Sequence, residues 1–355
     1  MSDAADARPG ASAVLPGVTY VMPVLNEVDY LEAAVRSVFA QHYDGPVELV
    51  LAVGPSTDGT AEVVERLVAE EARLRVVDNP DTDIPIGLNR AIAVARYPVI
   101  VRVDAHTTLA PDYTSRGVAT LERTGAASLG GIMVATGRPG FQLAVARAYN
   151  SRFGLGGGAY HGRHAKEGPA ESAYMGIMRK EALDALGGFD ESLRRGEDWE
   201  LNYRLRHAGR LVWLDPHLVV SYWPRSTWPK LVRQFFATGV WRGELVRRLG
   251  ARNPLRFFAP PALLVVLVLG LLLVPVLVLG VLPGWLAWLL SAVYLGPLLY
   301  LGLLGVAALR SSGGLADRLR FMLAVATMHM SWGAGFLVGA VRGARDVVDT
   351  SRTES

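Results

Sequence analysis

Residues 257–282 and 285–309 contain no charged side chain, and no other feature so narrows what the chain can fold into. Each run can cross the roughly 30 Å hydrocarbon core of a bilayer. Only Pro283 and Gly284 separate them, so a membrane hairpin is expected, since helices satisfy their own backbone groups in lipid. Residues 321–341 form a third, weaker candidate, diluted by His329 and several small residues. Buried core helices are the competing reading of all three. Arg252 and Arg256 precede the hairpin, and Arg310, Arg318 and Arg320 follow it. The excess of cations on cytoplasmic flanks then puts both flanks in the cytoplasm. The tail, 342–355, would emerge outside if the third run crosses.

Upstream the chain reads as a soluble domain. Of 355 residues, 51% are hydrophobic, and the excess collects after Phe257, leaving residues 1–250 with an ordinary core. A net charge of +3, with no basic stripe interleaved with aromatics, argues for membrane lipids as partners and against nucleic acid. The absence of cysteine excludes disulfides and thiolate metal sites. Residues 1–17 read as a disordered tail rather than a signal peptide, which keeps the following domain in the cytoplasm.

Within residues 18–225 apolar strands alternate with amphipathic helices. TYVMPVL (19–25) is followed by Asn26, Glu27 and a helix with Leu31, Ala34, Val35, Val38 and Phe39 inward. Residues 47–53 repeat the pattern and close in GPSTDGT (54–60), before a helix with Val63, Val64, Leu67 and Val68 inward. A third strand (74–77) and helix (87–95) lead to PVIVRVDAHTTLAPDY (98–113). The alternation predicts an α/β fold with a mostly parallel sheet covered on both faces. Ligands of such sheets sit beyond the carboxyl ends of the strands, where the turns 26–27, 54–60 and 104–106 all fall. Asn26 as a helix cap, with Ser56, Thr57 and Asp58 as ordinary turn residues, is the plain alternative.

Asp104 and His106, two apart at a strand end, share a face, and an oxygen with a nitrogen ligand there could hold a divalent cation beside a diphosphate. A polar strand end leading into a turn is the competing reading. Residues 126–134 read as a further strand and 141–152 as a short helix. The glycine-rich 154–176 lacks the context of a dinucleotide fingerprint; His161, His164 and Lys166 on it read as solvated. Residues 179–209 give a helix, a Gly-Gly turn and a second helix burying Leu201 and Leu205. Glu197, Asp198 and Glu200 crowd its first turn, where the helix dipole alone would favour them; a general base is the functional alternative. Residues 211–222 read as a strand broken by Asp215 and Pro216. Residues 226–252 predict a basic amphipathic helix at the membrane interface, opened by Pro229 and carrying Leu231, Phe235, Phe236, Val240, Leu245, Val246 and Leu249; packing on the soluble domain is the alternative.

In their order, VMPVLNE (21–27), GPSTDGT (54–60), GLNRAIAVARYPVIVRVDAH (87–106), GGFDE (187–191) and GEDWELNYRLRHAG (196–209) resemble the inverting family 2 glycosyltransferases of GT-A fold. With the membrane hairpin, Asp104-x-His106 looks most like the succinoglycan-type glucosyltransferases of bacterial exopolysaccharide assembly. The resemblance implies transfer of a sugar, with inversion, from a nucleotide-diphosphate donor, with a UDP-sugar expected, to a polyprenyl-linked or growing glycan acceptor at the bacterial plasma membrane. Asp198 would be the base. Asp104 and His106 would hold Mn2+ or Mg2+. Pro23, Asn26, Glu27, Ser56, Asn89 and Asp104 would bind the nucleotide-sugar, and Glu197 and Trp199 would lie on the acceptor side.

Three departures stand out. Val53 and Gly54 replace a common acidic pair whose first member contacts the base, so that contact must come from elsewhere. His106 replaces an acid and would accept manganese at least as well as magnesium. Tyr222 stands where a late histidine often does, with His217 nearby and out of register. A polyprenyl-phosphate transferase or a processive synthase is the alternative enzyme. Processive relatives carry Q-x-x-R-W, whereas Gln234 lacks that sequel and Trp241-Arg242 reverse the order, which favours single additions. A degenerate membrane scaffold is the non-enzymatic alternative.

Overall fold

The computed structural model describes residues 14–155, 165–172, 174–250 and 255–344. Arg252, His161 and His164 lie outside the described residues, and Lys166 is exposed. The chain runs β1 (Val18–Val24), α1 (Leu31–Phe39), β2 (Val47–Val53), α2 (Thr60–Glu70), β3 (Leu74–Asp78), α3 (Ile84–Ala93), β4 (Val99–Arg102), β5 (Thr107–Leu109), α4 (Tyr113–Thr124), β6 (Ser128–Ala135) and α5 (Phe141–Tyr149). It continues through β7 (Gly168–Pro169), β8 (Tyr174–Arg179), α6 (Lys180–Ala185), α7 (Glu197–His207), β9 (Val212–Tyr222), α8 (Trp228–Leu249), α9 (Ala259–Val278), α10 (Gly284–Leu290), α11 (Leu295–Arg310) and α12 (Leu315–Arg342).

The described strands form one sheet in the order β3-β2-β1-β4-β8-β6-β9-β5, with β7 added to β9. Its first four strands are parallel, in keeping with the mainly apolar β1, β2 and β4, which are buried on both faces. One face packs Leu31, Val35, Val64, Leu67, Val118 and Leu121 of α1, α2 and α4. The other packs Leu88, Ile92, Leu183, Leu201 and Leu205 of α3, α6 and α7. Val68, expected inward, is exposed: once α2 buries Val64 and Leu67, the 100° advance per residue carries Val68 round to solvent.

Beyond β4 the sheet becomes mixed, because β8 runs antiparallel between β4 and β6. Instead of breaking at Asp215 and Pro216, β9 stays continuous. Its pairing with β6 nevertheless breaks there, as expected: Gly130 faces Leu214 and Ile132 faces Val219, so residues 215–218 of β9 bulge out opposite Gly131. Only a glycine fits there, since a Cβ on Gly131 would stand 1.8 Å from the Leu218 carbonyl oxygen.

Three helical stretches, Leu255–Val278, Gly284–Arg310 and Leu315–Arg342, are long and apolar enough to cross a membrane. The first two leave most of their surface exposed and are not packed inside the soluble domain. The third differs. α12 begins earlier than expected and lies along α8, where Gly239 and Gly243 meet Gly335 and Gly339. A Cβ on Gly239, Gly243, Gly335 or Gly339 would fall 1.9–2.2 Å from a carbonyl oxygen of the facing helix, so backbone lies on backbone. α8 therefore joins the sheet domain to the apolar helices, with Leu231 and Phe235 in one cluster with Phe321, Val325 and Met328 of α12.

Candidate active site

The strand order brings the carboxyl ends of β1 and β4 side by side, and Gly188 (φ +76°) and Gly196 (φ +78°) turn the chain so that α7 begins over that edge. Arg102, the last residue of β4, is 5% exposed and reaches both elements. Its Nη2 donates to Asp104 Oδ1 (3.2 Å), and its Nη1 donates to Glu197 Oε1 (2.9 Å) and to Asp198 Oδ1. One guanidinium thus gathers three carboxylates. Burial opposes its charge, yet Asp198, Asp104 and Glu197 hold it protonated well above the usual range. The same crowding acts in reverse on Asp198. Burial pushes its carboxyl up to about 7, Glu197 and Asp104 add to the rise, and Arg102 opposes it. Its side chain remains 28% exposed, within reach of a ligand in the cleft.

Behind Asp104, the Nδ1 of His106 lies 3.0 Å from Glu27 Oε1, and the ring meets Tyr222 edge-on at 5.8 Å. The turn that holds Glu27 is fastened from the second turn. Asn26 N–H donates to Ser56 Oγ (3.0 Å), Thr57 N–H to Asn26 Oδ1 (2.8 Å), Glu27 N–H to Thr60 Oγ1 (2.9 Å) and Val28 N–H to Asp58 Oδ2 (3.2 Å). Asn26 adopts a left-handed backbone (φ +54°) and does not cap α1, whose N-cap is Tyr30. GPSTDGT is in this respect a clamp on the turn that positions Glu27.

Asp104 and His106 are the residues that could hold a divalent cation. They line the same cleft, one offers oxygen and the other nitrogen, and the Glu27 contact at Nδ1 orients the imidazole as outer-shell carboxylates do around metals. Among the described residues no group of three or more His, Cys, Asp or Glu side chains that could hold a metal ion is found.

The cleft measures about 500 Å³. Of the residues expected at the site, Pro23, Asp104, His106, Glu197, Asp198 and Trp199 line it. Glu27 stands one contact behind, through His106. Asn26 and Ser56 pair with each other and are not among its lining residues. Asn89 lies elsewhere: its Oδ1 accepts from Phe189 N–H (2.8 Å), and its Nδ2 donates to Phe189 O (2.9 Å) and Glu191 (3.0 Å). It clips α3 to the GGFDE turn and takes no part in lining the cleft. Glu197 lies deep, its carboxylate bonded to Arg102, while Trp199 donates from Nε1 to Glu171 Oε1 (2.8 Å). His217 is mostly exposed, bonded to Asp215, and lines a separate surface pocket. Tyr222 lines the cleft and accepts from Gln234 Nε2 (3.1 Å).

Sequence reading missed several lining residues. Arg102 carried a signal, a charge inside an otherwise apolar buried strand. Gln234, Thr238 and Arg242 carried another, since polar residues four apart share one helix face. Asn79 sits at the end of β3 with its Nδ2 donating to Asp83 O (3.1 Å), and its buried Oδ1 has no hydrogen-bond partner among the described residues. Phe257, Met328 and Trp332 also line the cleft, and nothing local in the sequence brings them to Asp198.

Residues 19–187 match the family described as Glycosyl transferase family 2. Among curated relatives, the succinoglycan biosynthesis protein ExoA of Rhizobium meliloti (strain 1021) is 35% identical over 318 residues, 89% of this chain and 92% of that protein. A dolichyl N-acetyl-alpha-D-glucosaminyl phosphate 3-beta-D-2,3-diacetamido-2,3-dideoxy-beta-D-glucuronosyltransferase of Methanococcus voltae is 25% identical, covering 65% of this chain and 74% of its own. Among solved structures, S. aureus TarS 1-349 in complex with UDP-GlcNAc aligns with a TM-score of 0.45 at 17% identity, covering 63% of this chain and 66% of that one.

Proposed function

The chain belongs to the family 2 glycosyltransferases, and on that premise we propose that it moves a sugar, with inversion, from a nucleotide-diphosphate donor to a lipid-linked or growing glycan acceptor. It is a membrane-associated glycosyltransferase with a GT-A-like α/β sheet and serves exopolysaccharide or related glycan assembly. The observation that carries the mechanism is the convergence of Asp104 and Asp198 on Arg102 at one cleft.

In this reading Asp198 accepts the proton of the acceptor hydroxyl as that oxygen attacks the anomeric carbon from the side opposite the diphosphate, and the bond to the diphosphate breaks. A carboxyl with pKa about 7 is a better base at neutral pH than an ordinary aspartate, because its conjugate acid is weaker. Arg102 fixes its position, and positioning supplies much of the rate. Asp104 and His106 would hold a divalent cation, which would supply positive charge beside the departing diphosphate. Pro23 and Asn79 mark the nucleotide end, where Asn79 is a buried acceptor available for the base contact that Val53 cannot make. The donor is a UDP-sugar, the cation Mn2+ or Mg2+, and the enzyme a multi-pass protein of the bacterial plasma membrane with its sheet domain cytoplasmic.

The test is a screen of nucleotide sugars for protection of the purified full chain against thermal unfolding, with and without manganese. A UDP-sugar that raises the melting temperature only with manganese supports the reading. No protection by any nucleotide sugar contradicts it.

A further inference from the structure

The cleft that holds Asp198 is walled on one side by side chains of the apolar helical half. Phe257 precedes α9, Met328 and Trp332 project from α12, and all three line it. Where these residues approach Trp199, two cations stand over aromatic rings. The Arg242 guanidinium lies 4.1 Å from the Phe257 ring centroid and 4.8 Å from that of Trp199, and the Arg256 guanidinium lies 4.8 Å from Phe257. Glu171 ties the group together, accepting from Arg256 Nη2 (2.6 Å) and from Trp199 Nε1 (2.8 Å).

We propose that Arg242, Arg256 and Phe257 form the binding site for the phosphate end of a lipid-borne acceptor, with Trp332 and Met328 taking the first apolar units of its chain. This deepens the transferase reading and rests on it. A ring face restrains a guanidinium through its quadrupole without cancelling the charge. Glu171 offsets the charge of Arg256, and a phosphate entering between the two guanidiniums would take N–H donors from both, which arginine supplies in pairs. The apolar part of the wall argues for the lipid. Phe257, Met328 and Trp332 give a lipid chain an apolar surface on this side of the cleft, beside the polar Gln234 and Thr238. The helices that carry these residues expose Leu269, Leu271, Leu272 and Leu323 on their outer faces, the surface a bilayer would cover. Trp199 couples the site to the chemistry: it lies beneath Arg242 and directly follows Asp198, so a sugar attached to the held phosphate would present its hydroxyls beside the base.

The test measures binding of farnesyl diphosphate to the full chain in lipid nanodiscs by calorimetry, with inorganic pyrophosphate and farnesol as separate arms and UDP as the donor-side control. The site predicts that farnesyl diphosphate binds at least about tenfold tighter than either fragment. Arg242→Gln and Arg256→Gln should each weaken it by about tenfold, with UDP affinity unchanged. Arg256 is 41% exposed, so Arg256→Gln carries the test should Arg242→Gln fail to fold. Equal binding of pyrophosphate would mean a soluble-anion site, and equal binding of farnesol a merely apolar groove; either overturns the proposal, as does unchanged affinity in Arg256→Gln. Farnesyl diphosphate binding that depends on Arg256, in a protein that binds no nucleotide sugar, would uphold this site and overturn the transferase reading.

Discussion

Asp104 and Asp198, one at the end of a central strand and the other in the first turn of a distant helix, are hydrogen-bonded to the same guanidinium, that of Arg102. A buried cation under three carboxylates fixes where the helix begins relative to the strand, and with it the distance between the residues assigned to the base and to the cation.

Removing that guanidinium should be costly. Arg102→Met leaves the carboxylates without their shared partner, and breaking a buried ion pair from one side costs about 3–5 kcal/mol. Arg102→Lys restores a charge but not the fork that reaches three acids. It should therefore recover much of the thermal stability and little of the turnover, read from unfolding curves and a donor-consumption assay.

The rate should follow the protonation of Asp198. Its carboxyl is raised to about 7, and only the deprotonated form can act as base, so kcat/KM should fall as pH drops through about 7. Glu197 contributes to the rise. Glu197→Gln removes that negative charge, favours the ionised form of Asp198, and should move the acid limb of the pH profile to lower pH. A shift the other way would contradict this electrostatic account.

Cation binding should depend on Glu27 although Glu27 does not line the cleft. Loss of an outer-shell carboxylate typically weakens metal affinity about 10–100-fold, so Glu27→Gln should raise the manganese concentration needed for donor protection by about that factor. His106→Ala should abolish the manganese-dependent protection.

The contact between α8 and α12 is one mechanical link between the two halves of the chain, beside that of α5 with α12. Gly339→Val would place a Cβ 1.9 Å from the Val240 carbonyl oxygen, and backbone on both sides leaves little room to yield. A loss of about 3 kcal/mol is expected, measured by thermal unfolding in detergent, with Gly302→Ala, where an added Cβ meets nothing within 4 Å, as the neutral control.

How much of this could be read from the sequence depended on range. The parallel half of the sheet was legible because its strands are mainly apolar, with β1, β2 and β4 buried on both faces, and the turns at its carboxyl edge were legible because strand-turn-helix spacing puts them there. β5 and β8 were not: β5 is three residues long, and β8 starts inside the glycine-rich stretch, where composition outweighs pattern. Motif membership also does not reveal a residue's partners. Asn89 stands in a block that resembles the family, yet it bonds Phe189 and Glu191, a partnership set by a turn a hundred residues downstream. Arg102 sat in plain view between Val101 and Val103; its significance needed Glu197 and Asp198, which only the fold brings near. The spaced glycines of α8 and α12 were a readable signal for close helix packing, but not for which helix each would meet.

The most direct test of the central claim is the Asp198→Asn variant, assayed for sugar transfer alongside donor protection against thermal unfolding. Loss of a positioned general base should lower turnover by about 10²–10⁴-fold, while the stabilisation given by the nucleotide-sugar stays that of the unsubstituted chain. Turnover equal to that of the unsubstituted chain would show that Asp198 takes no proton, and the cleft around Arg102 would have to be assigned some other chemistry.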